Sequence, residues 1–113
     1  MESVFTKIIR RELPARIEYE DEEIIAIHDI CPVAPVHILI IPKKLIPTVN
    51  DAADDDAVLL GKMILVAKKV AAQKGIAEQG YRLIINVGKD GGQTVFHLHM
   101  HLIGGKSLPF ETA

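Results

Sequence analysis

Apolar residues recur along the chain with two different periods. From about Asp54 to Lys74, Leu59, Met63, Val66, Ala67 and Val70 return at helical spacing, flanked by Leu60 and Ile64. This spacing predicts one long helix with a wide apolar face. Gly75 suits the position just past its C-terminus. The acidic run from Asp51 to Asp56 reads as the helix start, where an Asp caps free amides and meets the positive end of the dipole. A metal site is the weaker reading of that run. Gly61 within the helix costs about 1 kcal/mol relative to Ala. Its presence points to close approach by another element, a subunit contact being one candidate.

Elsewhere the segments are short. Ser3 caps a short helix through about Arg11, with Val4, Phe5 and Ile8 on its inner face and Leu13-Pro14 stopping it. Ile17 to Glu20 and Ile24 to His28 read as strands of a tight hairpin around Asp21-Glu22. Pro32 and Pro35 mark Asp29 to Val36 as a loop. His37 to Ile41 is a near-continuous aliphatic run, a buried central strand ended by Pro42, with Lys43-Lys44 a solvated turn. Tyr81 to Val87 forms a fourth strand and Val95 to Ile103 a fifth, joined through Gly88 to Thr94. The expected fold is α+β: a five-stranded antiparallel sheet with one long helix and a short N-terminal helix, in a single domain over residues 1–113.

The fifth strand carries the chemistry. His97, His99 and His101 alternate with Phe96, Leu98, Met100 and Leu102. On a strand, the histidines share one face and the apolar residues point to the core. Such a row can bind a metal or attack a substrate. Histidines two residues apart on a strand are about 6.5–7 Å apart at Cα. Neighbouring imidazoles can still converge on an ion, but the outer pair stand about 13 Å apart at Cα, which makes convergence of all three from one flat strand harder; His37 could supply a fourth ligand. Nucleophilic chemistry needs fewer coincidences. The flanking Gly88, Gly91, Gly92, Gly104 and Gly105 free the backbone to approach an anion, though glycines also favour plain hairpin turns.

Composition narrows the setting. Apolar residues make up 49% of the 113, with no Trp, so the core is aliphatic. A mean hydropathy of +0.22 leaves room for apolar surface covered by a partner. Net charge is −2 without a basic stripe, which gives no support for a nucleic-acid polymer as partner. Cys31 is the one cysteine, in keeping with a reducing compartment. No stretch reads as a signal peptide or membrane span, so no membrane partner and a cytoplasmic location are expected.

The motif His97-x-His99-x-His101-Leu102-Ile103 resembles that of the histidine triad (HIT) superfamily. Asp29 to Lys43, Asn86 and Gly91-Gly92-Gln93 also fall in the family's order and spacing. The resemblance runs from Phe5 to Gly105 and is nearest to the Hint branch, the bacterial purine nucleoside phosphoramidases. It implies hydrolysis of the P–N bond of purine nucleoside phosphoramidates, with no metal or cofactor, by a homodimer. His99 would attack the α-phosphate and form a nucleotidyl-histidine. His101 would bind phosphate oxygen or assist the leaving group. His97 and His37 would stand behind as a supporting pair. Asp29 would hold the ribose, with His28 nearby. Phe5, Ile8, Leu13, Ile27, Ile30 and Leu39 would form the purine slot; Asn86, Gly92, Gln93 and Thr94 would line the phosphate region. Cys31 and Thr94 stand where many relatives have Ser, and the tail 106–113 is short. The family also holds dinucleoside polyphosphate hydrolases and nucleotidyl transferases. A nucleotide-binding interaction module is the non-enzymatic rival.

Overall fold

A computed structural model describes residues 2–109. The elements in order are α1 (Val4–Ile9), β1 (Ile17–Glu20), β2 (Ile24–His28), β3 (Val36–Pro42), α2 (Ala57–Gln73), β4 (Tyr81–Ile84) and β5 (Met100–Gly104), with two single 3₁₀ turns before α2. The strands form one antiparallel sheet in the order β1-β2-β3-β5-β4. This is the expected α+β architecture. No helix among the described residues is long and apolar enough to cross a membrane.

The centre of the sheet is buried on both faces, which explains the unbroken aliphatic runs of β2 and β3. Ile24, Ala26, Ile38, Ile40, Met100 and Leu102 form one face and pack with Met63, Val66, Ala67 and Val70 of α2. Ile25, Ile27, Leu39 and Ile41 alternate onto the other face and pack with Phe5 and Ile8 of α1. Two-residue periodicity places His37 of β3 and His101 of β5 on this α1 side as well. The pairing of Leu39 with His101 and His37 with Ile103 sets them side by side.

Several local expectations change. β5 begins at Met100, not Val95, and β4 ends at Ile84, not Val87. The β3–β5 ladder stops at Ile40–Met100, and Leu98 N–H turns to the Ile46 carbonyl at 2.7 Å. Pro42 at the end of β3 has no N–H to extend the ladder. The chain bends over residues 95–97, so Phe96 is 48% exposed instead of facing the core. No Asp side chain caps α2. Asp56 instead accepts Ala53 N–H at 2.9 Å in the preceding 3₁₀ turn and pairs with Lys44 Nζ at 2.5 Å, so Lys44 is not a simple solvated turn residue. Gly61 has nothing within 4 Å of where a Cβ would stand, so no other element among the described residues crowds it. Gly75 ends α2 at φ 76°, with Ile76 N–H reaching the Ala71 carbonyl.

Candidate active site

Between α1 and the sheet lies a cleft of about 340 Å³. Phe5 and Ile8 of α1, Ile27 of β2 and Leu39 of β3 form its apolar part. Asn86, Gly92, Thr94, His99 and His101 supply its polar part, with His28, Asp29 and Ile30 also on its wall. Ile30 is 95% exposed, so it meets the cleft only at the rim. His28 is tied to Glu18 through Nε2 at 2.8 Å.

Two expected residues stand apart from the cleft. Leu13 is half-exposed and borders a separate shallow groove with Arg11, Pro14 and Ile17. Gln93 is buried and spends its amide on the backbone: Oε1 accepts Gly88 N–H at 2.9 Å, and Nε2 donates to Pro47 O at 2.7 Å and Val95 O at 3.0 Å. It braces the loop that Asn86 closes through Gly91 O at 2.9 Å. Gly91 is required there, because a Cβ would fall 2.3 Å from the Val87 carbonyl oxygen. Val4 and Val95 line the cleft and were not singled out from sequence as site residues. Val4 stands four residues from Ile8, a same-face spacing that could have flagged it.

The hydrogen bonds fix the histidine tautomers. His99 Nδ1 lies 2.8 Å from the carbonyl oxygen of His97. A carbonyl only accepts, so Nδ1 carries the proton and Nε2 keeps a free lone pair. His97 Nε2 likewise donates to Pro42 O at 2.7 Å, which leaves its Nδ1 as an acceptor. A third chain begins at the backbone. Val33 N–H donates to His37 Nδ1 at 3.2 Å, so His37 carries its proton on Nε2. That nitrogen faces His101 Nδ1 at 2.9 Å and donates to it. His101 must then hold its own proton on Nε2. His37 and His97 bond to different histidines: the His37 ring meets the His101 ring, and the His97 backbone carbonyl accepts from His99.

Asp29 stands beside this chain. Its Oδ1 accepts Cys31 N–H at 2.8 Å, and its Oδ2 lies 3.4 Å from His37 Nε2. Ligand atoms of Asp29, His37 and His101 lie within 4.8 Å of one another. The 2.9 Å between the two imidazole nitrogens suits a shared proton. Two nitrogens on one tetrahedral zinc stand about 3.3 Å apart, so a shared ion would require the rings to part.

Burial sets the charges. It pushes His97 and His99 below the usual histidine range, opposed by their carbonyl acceptors. His101 is pushed down to about 4, first by burial and then by His99 and His37, with Asp29 opposing. At neutral pH these three rings are uncharged. The site thus offers one neutral nitrogen nucleophile, one neutral N–H donor and a carboxylate along an apolar slot.

This fold and this histidine arrangement define a histidine triad protein, and residues 10–108 match the HIT domain. The chain belongs to the HIT family. It is 58% identical over 107 residues to the purine nucleoside phosphoramidase of Escherichia coli strain K12, covering 95% of this chain and 90% of that one. An uncharacterized HIT-like protein of Synechocystis is 53% identical, covering 97% and 94%. Among solved structures, a HIT family hydrolase from Clostridium thermocellum superposes with a TM-score of 0.95 at 54% identity, covering 99% of this chain and 97% of that one. A HIT family hydrolase from Legionella pneumophila gives 0.94 at 49%, covering 96% and 97%.

Proposed function

We propose that the chain is a purine nucleoside phosphoramidase in which His99 is the nucleophile. The observation that carries this reading is the lock on His99 Nδ1, which leaves Nε2 free beside the cleft. Likeness to the Escherichia coli phosphoramidase supports the substrate class. The purine lies among Phe5, Ile8, Ile27 and Leu39. Asp29 accepts from the ribose hydroxyls through Oδ2, since Cys31 N–H occupies Oδ1. Asn86, Gly92, Thr94 and His101 Nε2–H surround the phosphate. Gln93, His37 and His97 act without touching substrate.

The His99 Nε2 lone pair forms a bond to phosphorus as the P–N bond to the leaving amine breaks. The amine leaves with that electron pair and takes one proton, delivered from water past the Thr94 hydroxyl. Water then attacks phosphorus, releases the nucleoside monophosphate, returns the electron pair to Nε2 and gives the proton back to solvent. No step calls on a metal. The test is intact mass after quenching without acid, using adenosine 5′-monophosphoramidate and a chelator. An added nucleoside monophosphate mass with product formed supports the reading. No adduct, with activity lost to the chelator, overturns it in favour of a metal site. Binding of AMP without turnover overturns it in favour of a binding module.

A homodimer fits the same reading. On α2, Val58, Gly61 and Leu65 recur at helical spacing and are exposed, and a glycine between two aliphatic side chains lets a second helix approach closely. β4 stands at a sheet edge, where its unpaired backbone groups could take a strand from a second copy. Light scattering should give twice the chain mass, and Leu65→Glu should return it to the monomer value; a monomeric parent protein sinks this point. A cytoplasmic location accords with the single, exposed Cys31.

A further inference from the structure

The wall of the cleft formed by α1 has one firm end and one loose end. The helix has only six residues and cannot hold itself without tertiary anchors. At its C-terminal end, Arg11 at φ 65°, with Arg11 N–H on Ile8 O and Glu12 N–H on Lys7 O, ties the turn down. Arg11 also pairs with Glu20 of β1. At its N-terminal end, Ser3 Oγ and Thr6 Oγ1 each stand 3.5 Å from the same atom, His97 Nδ1. That nitrogen is a bare acceptor, because Nε2–H is given to Pro42. One lone pair thus faces two hydroxyls at the long limit of a hydrogen bond, and either hydroxyl can satisfy it. His97 itself is 1% exposed, so bulk water has little access to its ring.

Phe5 lies between these two points. Its ring meets His99 edge-on, with centroids 5.0 Å apart, and His97 at 6.2 Å. A shift of the N-terminal end of α1 therefore moves Phe5 against both the cleft and the His99 ring.

We propose that Ser3 and Thr6 are positioning residues: they latch α1 to His97 and so set how tightly the cleft holds a purine nucleoside. This rests on the assignment of the cleft to a purine nucleotide. The latch is redundant by construction. Loss of one hydroxyl leaves the other to serve Nδ1, whereas loss of both leaves a buried acceptor without a donor.

The test compares Thr6→Val, Ser3→Ala and the double variant by calorimetry with AMP, by kinetics with adenosine 5′-monophosphoramidate, and by amide exchange over residues 4–9. Each single change should weaken AMP less than about twofold, and the double change should weaken it about fivefold, more than the product of the two. KM should rise in parallel while kcat stays within about twofold, and α1 amides should exchange faster only in the double variant. Combining Ser3→Ala with Thr6→Ser, which keeps a hydroxyl at position 6, should recover the affinity that Ser3→Ala with Thr6→Val loses. The proposal is overturned if Ser3→Ala alone has the full effect, since Ser3 also caps α1 through Thr6 N–H at 3.2 Å. It is equally overturned if the double variant binds AMP as the parent does, or loses kcat with KM unchanged. If the parent binds AMP but turns nothing over, the phosphoramidase reading fails while the AMP affinities still decide the latch.

Discussion

Replacing His99 with alanine is expected to lower kcat/KM for a phosphoramidate by about 10⁴-fold or more, because the covalent route then has no nucleophile. AMP affinity should change by no more than a few-fold, since the ring is only 8% exposed and the apolar slot, Asp29 and His101 remain. The same residue sets the acid limb of the pH profile. Attack requires neutral His99, and burial holds its pKa below the usual value. Protonation therefore becomes important only below the ordinary imidazole value of about 6.5. The rate should rise with pH on the acid side and level off before that value. A His99→Ala protein with near-parental turnover, or a rate still climbing well above neutral pH in the parent, would remove His99 from the role of nucleophile.

The sheet was legible in the sequence because its signals are local. Aliphatic runs bounded by Asp21-Glu22, Pro42 and the glycines gave strands in the right places, and the β-branched run of β3 announced a buried central strand; burial of β2 on both faces was not read from the sequence. The alternation at Val95–Ile103 was misread in one respect. Its periodicity suits a strand, but a strand also needs a partner, and the β3 ladder stops opposite Met100. The His97 carbonyl is thereby released from pairing and can take His99 Nδ1–H. Period-two spacing grouped the histidines correctly, yet it could not show that each has a different partner. His97 meets Pro42 and Ser3, 55 and 94 residues away, His101 meets His37, 64 residues away, and His99 meets the His97 carbonyl two residues back. Leu13 and Gln93 failed for a similar reason. Motif position placed them near the cleft, whereas the turn after α1 sends Leu13 outward and backbone demand draws Gln93 inward.

The tautomer of His101 yields the second large effect. Its Nδ1 accepts a hydrogen bond from His37 Nε2–H, and His37 is held in that tautomer by Val33 N–H, which donates to its Nδ1. A second proton on His101 Nδ1 would set two N–H groups against each other, in a ring already pushed down to about 4. His101 is therefore arranged to give a neutral Nε2–H hydrogen bond to a phosphoryl oxygen, which gains strength as charge builds there. Leaving-amine protonation is a different task and is not built into this ring. Accordingly, His101→Ala should lower kcat/KM by about 10²–10³-fold, the usual cost of one such donor. His101→Gln, whose amide can donate from a similar distance, should recover part of that loss. The loss should also be the same for substrates with good and poor leaving amines. If it instead disappears with a good leaving group, and Gln is no better than Ala, His101 is the proton donor to the amine, and the Val33–His37 hydrogen bond must break during turnover.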